Sequence, residues 1–283
     1  MKLQVAVAIG GLLAGLAVPL GAAGTSTEAR IVYRTVRLTN PQRPPELHSI
    51  LSSGRGRRLL ARGGEQPAWS PDRRRIAFAG GGIAGRAGIW VMNADGTKKR
   101  RLTTRAGDGD PTWSPDGLRI AYRSSSPTSF DLWVVPAGGR KPRPLLRTPQ
   151  ANELEPDWSP DGRRIAFQSS RAHRIQIWVL TVGSTVARRL TGGRAGFSPD
   201  WSPDGRRIAF MTGGRIATVG ADGRGLNVLA SGTPLSADDP AWSPDGRRIV
   251  FQRGGQVLSI RAGGGDLRYV TRAAWGTNGE PDW

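Results

Sequence analysis

Apolar and polar residues alternate within short runs of this chain, and the runs themselves return at a steady interval. The decapeptide Trp-Ser-Pro-Asp-Gly-Arg-Arg-Ile-Ala-Phe stands at Trp158–Phe167 and Trp201–Phe210, with near copies at Trp69–Phe78, Trp113–Tyr122 and Trp242–Phe251. A sixth copy stops at its first residue, since the chain ends Glu280-Pro281-Asp282-Trp283. Neighbouring motif tryptophans lie 41 to 45 residues apart. A period in the forties marks stacked or radial repeats.

Each repeat reads as four short strands. Pro-x-Trp opens the first. Ser-Pro-Asp-Gly then turns the chain: proline presets φ at the first central position, aspartate suits the second, and glycine accepts the left-handed conformation that follows. This is a tight hairpin with a small bulge. Arg-Arg-Ile-Ala-Phe returns as the second strand, with Ile and Phe on one face and Ala on the other. A third strand follows about ten residues on, at Ile89–Met92, Leu132–Val135 and Ile177–Leu180. After turns such as Ala94-Asp95-Gly96 or Ala221-Asp222-Gly223 comes Arg-Arg-Leu-Thr, at Arg100–Thr103 and Arg188–Thr191. Four antiparallel strands per period describe one propeller blade. A β-sandwich with chance similarity is the alternative, and five near-identical decapeptides weigh against it. Arg73 stands where the other copies have Gly; a left-handed conformation there costs a non-glycine residue roughly 1–2 kcal/mol.

The two ends of the chain complement one another. Ile31-Val32-Tyr33 resembles the Ile-Ala-Phe strand, Glu46–Leu51 the third strand and Arg57–Leu60 the fourth, with no Pro-x-Trp strand before them. Glu280–Trp283 supply that strand with no blade after it. The fold predicted is all-β: a six-bladed β-propeller of four-stranded antiparallel blades, closed by the C-terminal strand completing the first blade. Blades two to six are expected at about 66–104, 110–147, 155–192, 198–230 and 239–272. An open ring would leave two exposed sheet edges.

These motifs resemble those of TolB-type propellers, a WD40-like class built on the Trp-Ser-Pro-Asp-Gly hairpin; similar blades occur in the propeller domains of prolyl-oligopeptidase-like enzymes. The resemblance covers residues 31–283 and speaks for fold more than for function. TolB itself carries a separate α/β domain before its propeller. The resemblance here is to the propeller alone, which puts a role in the Tol-Pal envelope system in doubt.

Composition adds an address and a charge. Met1-Lys2, an apolar run from Leu3 to Leu20 and then Gly21-Ala22-Ala23 read as a secretory signal over residues 1–23, or as an uncleaved anchor. Residues 24–30 form a leader, and 31–283 a single propeller domain. The expected location is outside the cytoplasmic membrane, periplasmic or extracellular. The chain has no Cys, so neither disulfides nor a lipoprotein anchor are available. Lys and Arg number 41 against 22 Asp and Glu, a formal net charge of +19. Abundant Arg, Gly and Ala are also what a GC-rich genome produces.

The blade pattern sorts these charges. Strand direction alternates, so the Ser-Pro-Asp-Gly and Ala-Asp-Gly turns share one face. That face collects Arg74, Arg119, Arg163, Arg206 and Arg247 among other basic residues. An anionic membrane surface or wall polymer is a candidate partner for it. The alternative is that these arginines pack their stems on neighbouring strands and pair with turn aspartates. Around each motif proline stand Asp110, Glu155, Asp157, Asp200, Asp239, Glu280 and Asp282. The innermost strand of a propeller lines its channel, so these carboxylates are expected to ring the channel mouth on the opposite face. Such a collar suits a Ca²⁺-like cation or a basic peptide; alternatively, each carboxylate accepts hydrogen bonds from the adjacent blade. Trp275, in the loop before the closing strand, either packs over the joint or anchors a partner.

Catalytic signatures are missing. There is no Gly-x-Ser-x-Gly elbow, no His-Glu-x-x-His and no phosphate-cradling loop. The two histidines, His48 and His173, fall in different blades and read as structural or exposed. No cofactor and no catalytic residue are assigned. The sequence points to an exported, monomeric, non-enzymatic propeller that binds a protein or envelope component through the channel-mouth face. The rivals are a hydrolase or lyase acting on carbohydrate or peptide in the channel, and an auxiliary propeller for a separate hydrolase. Nucleic acid fits the charge but not the exported address.

Overall fold

A computed structural model describes residues 29–36, 43–80, 86–229, 237–272 and 277–283. The signal or anchor at 1–23 and Trp275 lie outside them. The described residues form six four-stranded antiparallel sheets and no helix. Blade two is typical: Gly64–Trp69, Arg75–Gly80, Ile89–Asn93 and Arg100–Arg101, hydrogen-bonded in that order. The inner strands of blades three to six are Gly109–Trp113, Glu153–Trp158, Phe197–Trp201 and Ala237–Trp242.

Blade one is made from both ends of the chain. Its inner strand is Thr277–Asp282, paired antiparallel with Arg30–Val36 so that Val32 faces Asp282 and Thr35 faces Asn278. Glu46–Leu51 and Arg58–Arg62 complete it. The Thr35 hydroxyl donates to Asn278 Oδ1 at 2.9 Å, both residues buried.

The core lies between blades. Ile, Ala and Phe of each second strand are all buried, Ile208, Ala209 and Phe210 at 0 % exposure, because the two faces of a sheet meet different neighbours. The described residues form a buried apolar cluster at each of the six blade junctions. At the closing junction Trp283 packs with Ile31 and Tyr33 of blade one and Val250 of blade six.

The motif hairpins follow one plan. The Ser70, Ser114, Ser159, Ser202 and Ser243 hydroxyls donate to the aspartate two residues on. Gly117, Gly162, Gly205 and Gly246 take φ of 66–68°. Arg73 takes φ 60° without being glycine; its guanidinium lies over the Trp69 ring at 4.3 Å and donates to the Arg30 carbonyl. Those contacts offset the backbone strain.

Closure by the last strand has a measurable consequence. Trp283→Ala removes a large buried side chain and should cost about 3–5 kcal/mol in chemical denaturation, and a chain ending before Thr277 should lose cooperative unfolding. A truncated chain that melts like the full one would contradict this closure.

Candidate functional site

All six inner strands carry the same irregularity at the motif proline. The residue before it has positive φ in each blade: Gln66, Asp110, Glu155, Ser198, Asp239 and Glu280, at 48–51°. The pairing of inner and second strand shifts register there. Proline disfavours the right-handed helical region for its predecessor, and a bulge re-aims a side chain. The six X-Pro-X triplets line a central cavity of about 190 Å³.

The residues before proline form a closed circuit, each blade bonding to the next. Gln66 Oε1 accepts from the Asp110 N–H at 3.0 Å, Asp110 Oδ2 from the Glu155 N–H at 3.2 Å, and Glu155 Oε2 from the Ser198 N–H at 2.8 Å. The Ser198 hydroxyl donates to Asp238 and Asp239, Asp239 accepts from the Glu280 N–H, and Glu280 Oε2 accepts from the Gln66 N–H at 2.6 Å. The residues after proline add a second tier. Asp157 accepts from the Trp201 N–H at 2.7 Å, Asp200 from the Trp242 N–H at 2.7 Å and Asp282 from the Trp69 N–H at 2.6 Å.

The structure thus brings Asp110, Glu155, Asp157, Asp200, Asp239, Glu280 and Asp282 together along the middle of the inner strands. Three of them face cations. Arg123 pairs with Asp110 at 2.7 Å, Arg34 with Glu280 at 3.3 Å, and Arg73 is near enough to attract Asp282. Glu155, Asp157, Asp200 and Asp239, on blades four to six, have no ion-pair partner among the described residues. Burial pushes every one of the seven above the usual carboxylate range. Repulsion from neighbouring carboxylates then helps carry Glu155 to about 8 and Asp239 to about 7. No group of three or more acidic or histidine side chains among the described residues is arranged to hold a metal ion.

The basic positions separate into two kinds. Arg74, Arg163, Arg206 and Arg247 project into solvent from the hairpin turns. Arg119 stands one position later in its motif and is half-buried, its guanidinium 5.0 Å over the Trp158 ring of the next blade. Arg75 and Arg164 do the same on Trp113 and Trp201. The opposite face is not acidic throughout: exposed Arg105, Arg147, Arg174 and Arg194 occupy its loops, and the collar acids are confined to the channel wall. His48 is buried against Tyr33, while His173 is exposed in a loop. Sequence reasoning missed Gln66 and Ser198, which close the circuit, and the counter-cations Arg34 and Arg123. Position before proline was the available signal for the first pair.

A model of the TolB beta propeller domain matches residues 109–283. The chain belongs to this family. TolB from Acinetobacter baumannii superposes with TM-score 0.78 at 21% identity over 90% of this chain, which spans 66% of that one. A putative TolB from Agrobacterium tumefaciens gives 0.68 at 21% identity over 85% of this chain and 87% of its own. A puromycin-hydrolyzing peptidase of Mycobacterium tuberculosis gives 0.60 at 16% identity, over 85% of this chain and 44% of its own. At these identities the likeness is one of fold. No curated protein matches the chain.

The raised carboxylates set a pH dependence. A group with a raised folded-state pKa binds more protons folded than unfolded, so stability falls as pH rises from the unfolded value, near 4, through the folded one, near 7–8. The turn aspartates Asp72, Asp116, Asp161, Asp204 and Asp245 are lowered by their serine hydroxyls and backbone N–H groups, and act in the opposite sense at lower pH. The melting temperature should therefore be highest near pH 4–5 and fall by about 5 °C or more by pH 8, with Glu155→Gln flattening the slope. A melting temperature rising between pH 5 and 8 would contradict the assignment.

Proposed function

We propose that this propeller is an exported, non-catalytic binding module whose channel receives a cationic segment of a protein partner. The observation that carries the reading is the group Glu155, Asp157, Asp200 and Asp239, held in the channel wall with no ion-pair partner among the described residues. Each keeps one oxygen on a backbone or hydroxyl partner from the next blade, so the group cannot relax outward to water. Burial and mutual repulsion raise the pKa values of these acids; a lysine or arginine side chain entering the channel would favour the ionised form. Truncating one partner of a buried, hydrogen-bonded charge pair costs far more than removing a surface pair.

A peptide cation fits better than a bound Ca²⁺, which needs six to eight oxygens converging on one point, an arrangement no described cluster offers. Export rests on the N-terminal apolar run and its small-residue end. The channel-wall acids line a narrow cavity with no histidine among its lining residues, and its Ser198 hydroxyl is engaged by Asp238 and Asp239, which favours binding over turnover. A protein or anionic envelope component at the basic face is a separate surface, taken up below.

The test uses fluorescence polarisation of labelled ten-residue peptides, lysine-rich, neutral and acidic. Bulk charge repels the lysine-rich peptide, so its binding reports the channel. It should bind in a salt-sensitive way, and Asp200→Asn with Asp239→Asn should weaken it at least about tenfold. Added calcium that blocks the peptide would reassign the site to the ion. Equal binding by wild type and the double variant would sink the reading.

A further inference from the structure

The large apolar side chains left exposed are not scattered. Among the described residues, Leu118 (67 % exposed) sits in a Ser-Pro-Asp-Gly turn, and Val186 (76 %), Leu226 (40 %) and Leu267 (42 %) sit in turns between third and outer strands. The remaining three, Leu59, Val228 and Tyr269, fall in the first two residues of the outer strands that leave those turns. Strand alternation puts all of these on one side of the disc, or on its rim at that side. Among the described loop residues of the other side, none belongs to this set.

The same turns carry exposed arginines. At one motif position the ring reads Arg74, Leu118, Arg163, Arg206 and Arg247, so an apolar side chain takes an arginine's place in blade three. The turn aspartates stay ionised and offset part of this row; the positive excess of this side comes from the turns between third and outer strands, where Lys98, Lys99, Arg140, Lys141 and Arg224 are exposed. The Arg247 side chain is 85 % exposed and only 4.0 Å from Asp245 at its nearest approach.

The chain also joins the ring on this side. Ala29 and Arg30 line a cavity of about 840 Å³ together with Pro71, Arg73 and Pro244 from the hairpin turns and Trp283 at the closing strand.

We infer that this side of the propeller rests on an anionic lipid bilayer, its arginines at headgroup phosphates and its isolated leucines and valine in the interfacial layer. Cations attract an anionic surface, and exposed apolar side chains gain by leaving water for the acyl boundary. An acidic protein is the other macromolecule that the charge would suit. It is disfavoured because a protein interface gathers its apolar side chains into a contiguous buried centre, whereas these stand one per turn around a ring. The inference is independent of what enters the channel.

The absence of cysteine allows a direct test on the full chain. Val186→Cys carries an environment-sensitive fluorophore on the proposed surface, and Thr128→Cys carries it on an exposed loop of the other side. With vesicles containing phosphatidylglycerol, the label at 186 should shift to the blue and be quenched by spin-labelled lipid, while the label at 128 should report water. The shift should be lost on phosphatidylcholine vesicles, in high salt, and in the combined variant Arg163→Gln, Arg206→Gln, Arg247→Gln. Comparing the two labels separates the face from the N-terminal apolar run, since any insertion of that run would act on both labelled chains alike. A label at 186 that stays in water on anionic vesicles, labels that shift alike, or a shift indifferent to lipid charge would each overturn the inference. Protection of the 186 label by an acidic protein but not by vesicles would overturn it in favour of that partner.

Discussion

A ring of six separate sheets survives only through what passes from one sheet to the next, and near the axis of this protein that is mainly a side-chain oxygen accepting the neighbour's backbone N–H. The arrangement follows from a single local event repeated in each inner strand. The residue before each motif proline, already kept from the right-handed helical region, takes positive φ, and the strand bulges there. In five of six blades the side chain before the proline then takes the next blade's N–H, and at Ser198 a hydroxyl reaches the next blade's carboxylate instead. Six strained residues at roughly 1 kcal/mol each are held in place by apolar clusters at every junction and by the bonds themselves.

The same requirement explains why acids accumulate in a chain this basic. An acceptor is needed at the axis, and Asp, Glu, Gln or Ser can supply it. Three of the acids chosen have arginine nearby in Arg34, Arg73 and Arg123, all attached to blades one to three. Blades four to six have acids without such partners. The channel wall is therefore electrically lopsided, compensated on one side and open on the other, and the proposed cation site rests on that difference rather than on the mere presence of carboxylates. Arginines elsewhere are divided by one residue of register: those stacked on the next blade's tryptophan serve the fold, and those a position earlier remain free for a surface.

Much of this was legible in the sequence because it depends on local chemistry. The Ser-Pro-Asp-Gly turn writes its own conformation, and a Pro-x-Trp strand present at the C-terminus but missing before Ile31 announces which two segments share a blade. Even the left-handed Arg73 followed from its place among glycines. What the sequence does not print is direction and partnership across blades. Gln66 and Ser198 look unlike the acids, yet they occupy the same backbone position and do the same work; Arg34 and Arg123 meet their carboxylates only because sheets are stacked. The expectation of two faces with opposite charge was too coarse for the same reason. Placing a residue on a strand does not say whether it reaches the open end of the channel or stays within its wall. Nor could the gathering of Leu118, Val186, Leu226 and Leu267 on one side be seen before the ring was closed.

The inter-blade circuit runs all the way round, its last link made by the C-terminal strand through Glu280 and Asp282. Backbone amide hydrogen exchange reads this most directly. The N–H groups of Gln66 and Trp69, bonded to that strand, should be protected to the same degree as those of Trp201 and Trp242, bonded within the body of the ring. Fast exchange at Gln66 and Trp69 beside slow exchange at Trp201 and Trp242 would show an open ring and contradict the account.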